Sequence, residues 1–162
     1  MVDRHPGSRI QLADGVILNS ANHKNTLEAR GPVVMKTLKR NSQLTIGRDT
    51  GLTSATVSAA VNVAIGERVL IGAGTLITDS DHHVVEPVTG TPRRYAGFPA
   101  TRTSDAVVIE DDVFIGARTI VLKGSRIGRG SVIGAGSVVA GVIPPMVVAA
   151  GNPCRVVKSL DK

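Results

Sequence analysis

Residues 109–144, IEDDVFIGARTIVLKGSRIGRGSVIGAGSVVAGVIP, place an aliphatic residue at every sixth position. These positions are Ile109, Ile115, Val121, Ile127, Ile133 and Val139. A small residue follows four places later in successive hexads, at Thr119, Ser125, Ser131 and Ser137. A repeat of six matches neither the period of a helix nor the alternation of a strand. It predicts a triangular parallel coil in which three hexads complete one turn.

In such a coil, residues eighteen apart stack on one another, so Ile109 is expected to lie under Ile127. Successive turns are then separated by the ordinary strand spacing of about 4.8 Å. Each turn buries its apolar edge only because the next turn covers it. The composition agrees, because 18 Gly, no Trp, one Tyr and two Phe leave the core to aliphatic side chains. The sequence therefore predicts a narrow aliphatic column.

The chain of 162 residues is most simply a single domain, 1–162. The hexads predict coils over about 44–77 and 107–144, with a slip of frame near Ser58 to Val61, and a short C-terminal tail over 145–162. Ile77 and Ile109 are 32 residues apart, which is not a multiple of six, so a protruding loop is expected over 78–106. Upstream, VILNS is expected in a first coil, and HKNTLEARGPVVMKTLKR in a second excursion or a short helix.

The protruding loop opens with carboxylates and imidazoles in the run TDSDHH, from Thr78 to His83. One interpretation is a solvated polar turn where the chain leaves the coil. The other is a general base, because neutral imidazole is suited to removing a hydroxyl proton near pH 7. A zinc site needs three or four converging ligands, and the sequence offers no such set, so no metal is predicted.

The segments 109–139 and IPPMVVAAGNPCRVVKSL resemble the C-terminal half of the hexapeptide-repeat acetyltransferases, in particular the maltose, galactoside and polysaccharide O-acetyltransferases. The DSDHH run is similar to the catalytic-histidine loop of the enzymes that modify sugars. This resemblance implies an all-β fold, a left-handed parallel β-helix of hexapeptide repeats, which departs from the usual right-handed crossover. It also implies a homotrimer with an active site at each subunit boundary.

The family pattern assigns the catalytic base to His83, which follows the second Asp of the D-x-D pair by two residues, and leaves His82 in the variable place between. By the same resemblance Asp81 or Asp79, or a backbone carbonyl, orients the ring of His83. The reaction expected is direct transfer in a ternary complex: His83 takes the acceptor proton, and a backbone amide stabilises the oxyanion.

The resemblance also implies acetyl-coenzyme A as co-substrate, held by small residues at coil corners and by cations of the tail. These residues are Ala117, Ala135, Arg155 and Lys158. Relatives commonly read Thr-Lys-Asp before the IPP element, where this chain has Ala140, Gly141 and Val142. Cofactor affinity is then weaker, or Arg126 and Arg129 replace the missing groups.

For the acceptor, Ser54 and Asn62 are the candidate substrate-binding residues, and a sugar or polysaccharide precursor is the expected substrate. Two alternatives stay open, namely N-acetylation of an amino sugar or antibiotic and a non-catalytic scaffold or binding module. The formal charge of +6 and pI of about 10.1 raise nucleic acid, but no aromatic stacking platform interrupts the basic residues. No nucleic-acid partner is therefore predicted. No membrane span and a cytoplasmic location are predicted as well.

Overall fold

The structure, a computed structural model, describes residues 1–21 and 31–161. In these residues the strands form three sheets, A, B and C, which are the faces of a triangular prism. The chain visits the three sheets in the same order on each of six turns. All neighbouring strands are parallel except the last pair of sheet C. The predicted fold, a left-handed parallel β-helix of hexapeptide repeats, is confirmed.

The strands are short, as expected for a chain that turns every six residues. Sheet A contains β1 (Val2–Arg4), β4 (Val34–Thr37), β7 (Thr56–Ala59), β10 (Leu76–Thr78), β13 (Ile120–Val121) and β16 (Val138–Val139). Sheet B contains β2 (Arg9–Leu12), β5 (Gln43–Ile46), β8 (Asn62–Ile65), β11 (Val107–Ile109), β14 (Arg126–Ile127) and β17 (Val142–Ile143). Sheet C contains β3 (Ile17–Asn19), β6 (Gly51–Thr53), β9 (Leu70–Ile71), β12 (Phe114–Ile115), β15 (Val132–Ile133), β18 (Val147–Ala150) and β19 (Arg155–Ser159).

The aliphatic residues of the hexads form the predicted column. Ile109 pairs with Ile127 in sheet B, and the same step of eighteen joins Ile115 to Ile133 and Val121 to Val139. The side chains of these residues are buried. Each of these side chains is therefore removed from water only because the turns above and below cover it.

The small residues of the hexads serve the corners of the prism. A Cβ on Gly116 would lie 2.5 Å from the backbone nitrogen of Ala135 on the next turn, so a side chain there would push the turns apart. The buried hydroxyls satisfy corner carbonyls: Ser137 donates to Gly134 O at 2.6 Å, and Ser131 donates to Pro144 O on the next turn at 2.7 Å. The recurring small polar residue is therefore part of the corner hydrogen bonding.

The coil begins earlier than the sequence predicts. Strands β1 to β4 add turns before residue 44, and VILNS contributes β3 to the first of them, as expected. The prediction of an excursion or a helix over 23–40 is wrong for Val34–Thr37, which form β4; residues 22–30 lie outside the described residues. The alternation of buried and half-buried residues in VMKT suits a strand, and the irregular spacing of its neighbours conceals this from a search for hexads.

Three edges separate the faces of the prism, and each has its own character. The loop edge, where sheet A passes to sheet B, includes the corners 60–62 and 122–125 and carries the excursion over residues 79–106. The charged edge, where sheet B passes to sheet C, includes the corners 66–69, 110–113 and 128–131. The small-residue edge, where sheet C passes to sheet A, includes the corners 116–119 and 134–137.

Candidate active site

The excursion leaves the coil through Asp79, whose carboxylate is fully buried. It accepts backbone N–H groups from Ala60 at 2.6 Å and from Val61 and Asn62 at 2.7 Å. This is the corner where the sequence frame slips, and Ile46 pairs with Ile65, nineteen residues away. The extra residue takes these N–H groups out of the strand ladder, and Asp79 satisfies them. Asp79 therefore anchors the excursion and does not orient an imidazole.

Asp81 makes the next anchor. Its carboxylate pairs with the ammonium group of Lys123, at the corner that follows β13. This hydrogen bond raises the pKa of Lys123 above its ordinary value. Asp81 contacts His83 only through the backbone, because the N–H of His83 donates to Asp81 O at 2.7 Å. The carboxylate that was expected to orient the imidazole is engaged with a lysine in this chain.

The two histidines have different surroundings. His82 has a positive φ of 60°, its Nε2 lies 3.2 Å from Thr78 Oγ1, and its ring meets the edge of Phe98 with centroids 6.1 Å apart. The His83 side chain is exposed and has no side-chain hydrogen-bond partner among the described residues. Both side chains are exposed, and they differ in that only the ring of His82 contacts Thr78 and Phe98. The assignment of the general base to His83 stays a prediction.

The far part of the excursion rests on an earlier turn of the coil. Lys39, at the loop edge after β4, donates to Pro99 O at 2.8 Å and lies over the Phe98 ring, 4.7 Å from its centroid. Phe98 in turn meets His82. The excursion is therefore attached at three levels of the loop edge, through Lys39, through the corner 60–62 and through Lys123.

A cavity of about 430 Å³ lies between the excursion and the coil, and neither His82 nor His83 lines it. Its lining combines apolar side chains with charged ones: Asp81, Val84, Val85, Glu86, Pro99, Ala100, Arg102, Asp105 and Lys123. Both signs of charge and an apolar wall are therefore present in the lining.

The residues expected to hold coenzyme A lie at the small-residue edge and beyond it. Ala117 is half-buried, and Ala135 is exposed on the turn above it. The N–H of Gly136 donates to Ala117 O at 2.9 Å and so joins the two turns. Arg155 and Lys158 are exposed on β19. Small side chains leave the backbone of this edge open to a long, thin ligand, and the two cations can meet its phosphates. The site therefore fits the predicted co-substrate.

The remaining predicted residues do not form one cluster in a single chain. Asn62 begins β8 at the loop edge, where its backbone binds Asp79, whereas Ser54 lies at the small-residue edge and donates to Gly31 O at 2.6 Å. Arg126 and Arg129 pair with Glu110 and Asp112 around the charged edge, so they are remote from Ala117 and Ala135. Within one chain they are therefore not placed to replace the missing Thr-Lys pair.

Sequence reasoning missed Lys123, Lys39 and Phe98. A signal for Lys123 was present, because the stacking of Ile77 under Val121 places the corner after β13 directly above the start of the excursion. Finding it requires knowing which hexads on the two sides of the excursion are neighbours. Lys39 and Phe98 carry no comparable signal, since their contact depends on how the excursion folds back.

Two predicted absences concern the described residues alone. No three His, Cys, Asp or Glu side chains of residues 1–21 and 31–161 are grouped so that they could hold a metal ion. Over the same residues no helix is long and apolar enough to cross a membrane. The cytoplasmic location stays a prediction.

With this geometry in view, comparison with known proteins identifies the repeat. Residues 106–141 match the family model of the bacterial transferase hexapeptide, a unit of six repeats. The predicted resemblance to the hexapeptide-repeat acetyltransferases is confirmed by this match and by the solved structures that share the coil.

Three similar proteins show how much sequence and structure this chain shares with known acetyltransferases. A 2,3,4,5-tetrahydropyridine-2,6-dicarboxylate N-acetyltransferase of Brevibacillus brevis is 40% identical over 92 residues, 57% of this chain and 31% of that protein. A hexapeptide-repeat acetyltransferase of Vibrio cholerae, solved with acetyl-coenzyme A, is 31% identical with a TM-score of 0.61, over 74% of this chain and 61% of that one. A galactoside acetyltransferase solved with coenzyme A is 27% identical with a TM-score of 0.68, over 93% and 65%.

Proposed function

We propose that the chain transfers an acetyl group from acetyl-coenzyme A to a hydroxyl of a sugar or polysaccharide precursor, with His83 as general base. The observation that carries this proposal is the exposed imidazole at the anchored start of the excursion. Its support from outside the chain is the similarity to solved acetyltransferases that bind acetyl-coenzyme A or coenzyme A. Rigid attachment matters because a general base must stay within hydrogen-bond reach of the proton it removes.

In the proposed reaction His83 accepts the proton of the acceptor hydroxyl while the oxygen attacks the acetyl carbon. A backbone N–H of a neighbouring turn stabilises the charge that develops on the carbonyl oxygen. His83 then returns the proton to the sulfur of the departing coenzyme A. The acetyl group moves in one displacement, and no residue of the chain is acylated.

The binding of acetyl-coenzyme A is proposed at the small-residue edge. Ala117 and Ala135 let the pantetheine arm approach the backbone, and a Cβ on Gly136 would have nothing within 4 Å, so the surface beside Ala135 is open. Arg155 and Lys158 are proposed to meet the phosphates through charge-assisted hydrogen bonds.

The site is proposed to be shared between copies of the chain in a homotrimer. The loop edge and the small-residue edge lie on opposite sides of sheet A, and the five residues 119–123 cross this face, about 13 Å at 3.3 Å per residue. The outer side of sheet A carries an apolar row, in which Leu76, Ile120 and Val138 stack and are only half-buried. A copy packed on this row brings its small-residue edge to the loop edge of its neighbour.

A second candidate is N-acetylation, which the curated relative favours. The Brevibacillus brevis protein is named for transfer to nitrogen, and the stretch it shares with this chain is 40% identical. That stretch covers only 31% of the relative, so the residues that select its acceptor need not be included. His83 would remove a proton from an amine by the same geometry.

Release of free thiol from acetyl-coenzyme A tests the proposal over a panel of sugars, amino sugars, antibiotics and tetrahydropyridine dicarboxylate. The product separates the candidates, because mild alkali hydrolyses an acetyl ester and leaves an acetamide intact. Calorimetric titration with acetyl-coenzyme A adds a test of the scaffold alternative, which predicts no heat of binding. No thiol release with any acceptor, together with no binding, would overturn the proposal.

Complementation tests the shared site. His83→Ala and Arg155→Glu each remove one half of the proposed site, so each variant alone should be inactive or strongly impaired. Co-expressed in one cell, the two variants should form mixed trimers in which some sites have both halves, and part of the activity should return. If no activity returns although mixed oligomers are shown to form, both halves of the site belong to the same chain and the shared site is overturned.

A further inference from the structure

One corner of the coil closes the base of the excursion from both sides. At its start, the carboxylate of Asp81 pairs with the ammonium of Lys123. At its end, the carbonyl oxygen of Asp105 accepts the N–H of Gly124 at 2.7 Å. Lys123 and Gly124 are consecutive, so the excursion over residues 79–106 departs and returns at the same two-residue corner.

Two carboxylates near Lys123 favour its positive charge. Asp81 is its direct partner and Asp105 lies nearby, and both raise the pKa of Lys123, whereas the nearby Arg102 lowers it. The side chains of Lys123 and Asp81 are 42% and 30% exposed, so water partly screens the pair. A pair of this kind contributes more to the position of a segment than to the stability of the fold.

We propose that Lys123 is a positioning residue, which holds the backbone that carries His83 at a fixed place on the loop edge. This inference rests on the proposed function. The connection is short: the N–H of His83 donates to Asp81 O, and the carboxylate of the same Asp81 binds Lys123. A displacement of Asp81 therefore moves His83 with it.

The other anchors explain why the loss of Lys123 should leave the fold intact. Asp79 still binds the corner 60–62 through three backbone N–H groups, and Gly124 still binds Asp105. Lys39 still contacts Pro99 and Phe98. Without Lys123 the short run from Ser80 to His83 loses its tie to the turn above, while both of its flanks remain attached.

The first arm of the test is kinetic. Lys123→Met should lower kcat about tenfold with the KM for acetyl-coenzyme A changed less than about twofold, because misplacing a catalytic group slows the chemical step. Lys123→Arg keeps the charge and should recover most of the loss. The matched control is Arg48→Met, which removes the exposed ion pair with Glu67 on the charged edge and should leave kcat unchanged.

The second arm needs no catalysis. Hydrogen exchange of the His83 N–H should be several-fold faster in Lys123→Met than in the wild type and in Arg48→Met, because the residue that accepts it, Asp81, is no longer held by the turn above. A Lys123→Met variant with normal kcat and normal exchange overturns the inference, as does a loss that Lys123→Arg does not recover. A wild type inactive with every acceptor overturns the proposed function and the catalytic part of the inference, while faster exchange would still establish the tie.

Discussion

The loop edge and the charged edge both join turns of one coil through carboxylates, yet they use them differently. On the loop edge, the buried carboxylate of Asp79 accepts three backbone N–H groups. On the charged edge, Asp111 and Glu110 each accept one backbone N–H. The other carboxylates there pair with arginines at the surface, as in Arg48 with Glu67 at 2.8 Å and Arg68 with Asp112 at 2.6 Å. The carboxylate of Asp79 satisfies backbone N–H groups that have no other acceptor, whereas the surface pairs join charged side chains that water can also solvate.

The difference shows where the molecule tolerates change. The charged edge connects successive turns with pairs that are individually weak, and it carries no excursion among the described residues. The loop edge holds a segment of 28 residues (79–106), and the contacts of Asp79 and Asp81 fix the start of the segment, which carries His83. We therefore expect substitutions on the loop edge to affect activity or folding strongly and those on the charged edge to have small effects.

The largest effect is expected at His83. His83→Ala should lower kcat by about 10²-fold or more, since a general base contributes at least that much, with little change in the melting temperature. His82→Ala is the control on the same loop, and its loss should be smaller because the ring contacts Thr78 and Phe98. Thiol release measures both, and near-normal turnover of His83→Ala would remove it as the base.

Asp79→Ala should have the largest effect on stability. It leaves the N–H groups of Ala60, Val61 and Asn62 without their acceptor in a buried place, which should cost about 3 kcal/mol in the free energy of unfolding. Asp112→Ala, on the charged edge, should change the urea midpoint much less. Equal shifts for the two variants would contradict the distinction between the edges.

Acid should weaken the charged edge. Hydrogen bonds from Arg48 to Glu67 and from Arg68 to Asp112 lower the pKa of each carboxyl, and the backbone N–H of Arg129 does so for Glu110. A lowered folded-state pKa stabilises the fold above the ordinary value, 4.5 for Glu, and this stability is lost as pH falls through the folded value. Urea midpoints from pH 6 to pH 2.5 should fall less steeply in Arg68→Met than in the wild type.

The smallest effect is expected for a single outer pair. Arg48→Gln removes one partner of Glu67, which keeps a second contact with Arg68 at 3.0 Å. The melting temperature should fall slightly at low salt and coincide with that of the wild type in 1 M NaCl, because salt screens exposed pairs. A large, salt-independent shift would show that this edge depends on more than exposed charge.

The strict hexads could be predicted from the sequence, whereas the irregular turns and the contacts of the excursion could not. The hexads of residues 109–139 define the faces, the stacking of Ile109 on Ile127 and the corners at Ala117 and Ala135, because a strict repeat has one packing solution. The early turns were missed where the spacing is irregular, as at Val34–Thr37. The partners of Asp79 and Asp81 lie 17 to 19 and 42 residues away, and only the register across the excursion reveals them.

The antiparallel strand β19 has a bearing on solubility. A stack of parallel turns ends in unpaired N–H and C=O groups, and such an edge is a template on which another polypeptide can add. In sheet C, β19 runs back along β18 and occupies that edge, and its residues Arg155 and Lys158 present positive charge to any approaching strand. We expect the two side chains that are proposed to meet the phosphates of coenzyme A also to discourage the addition of a further strand to sheet C.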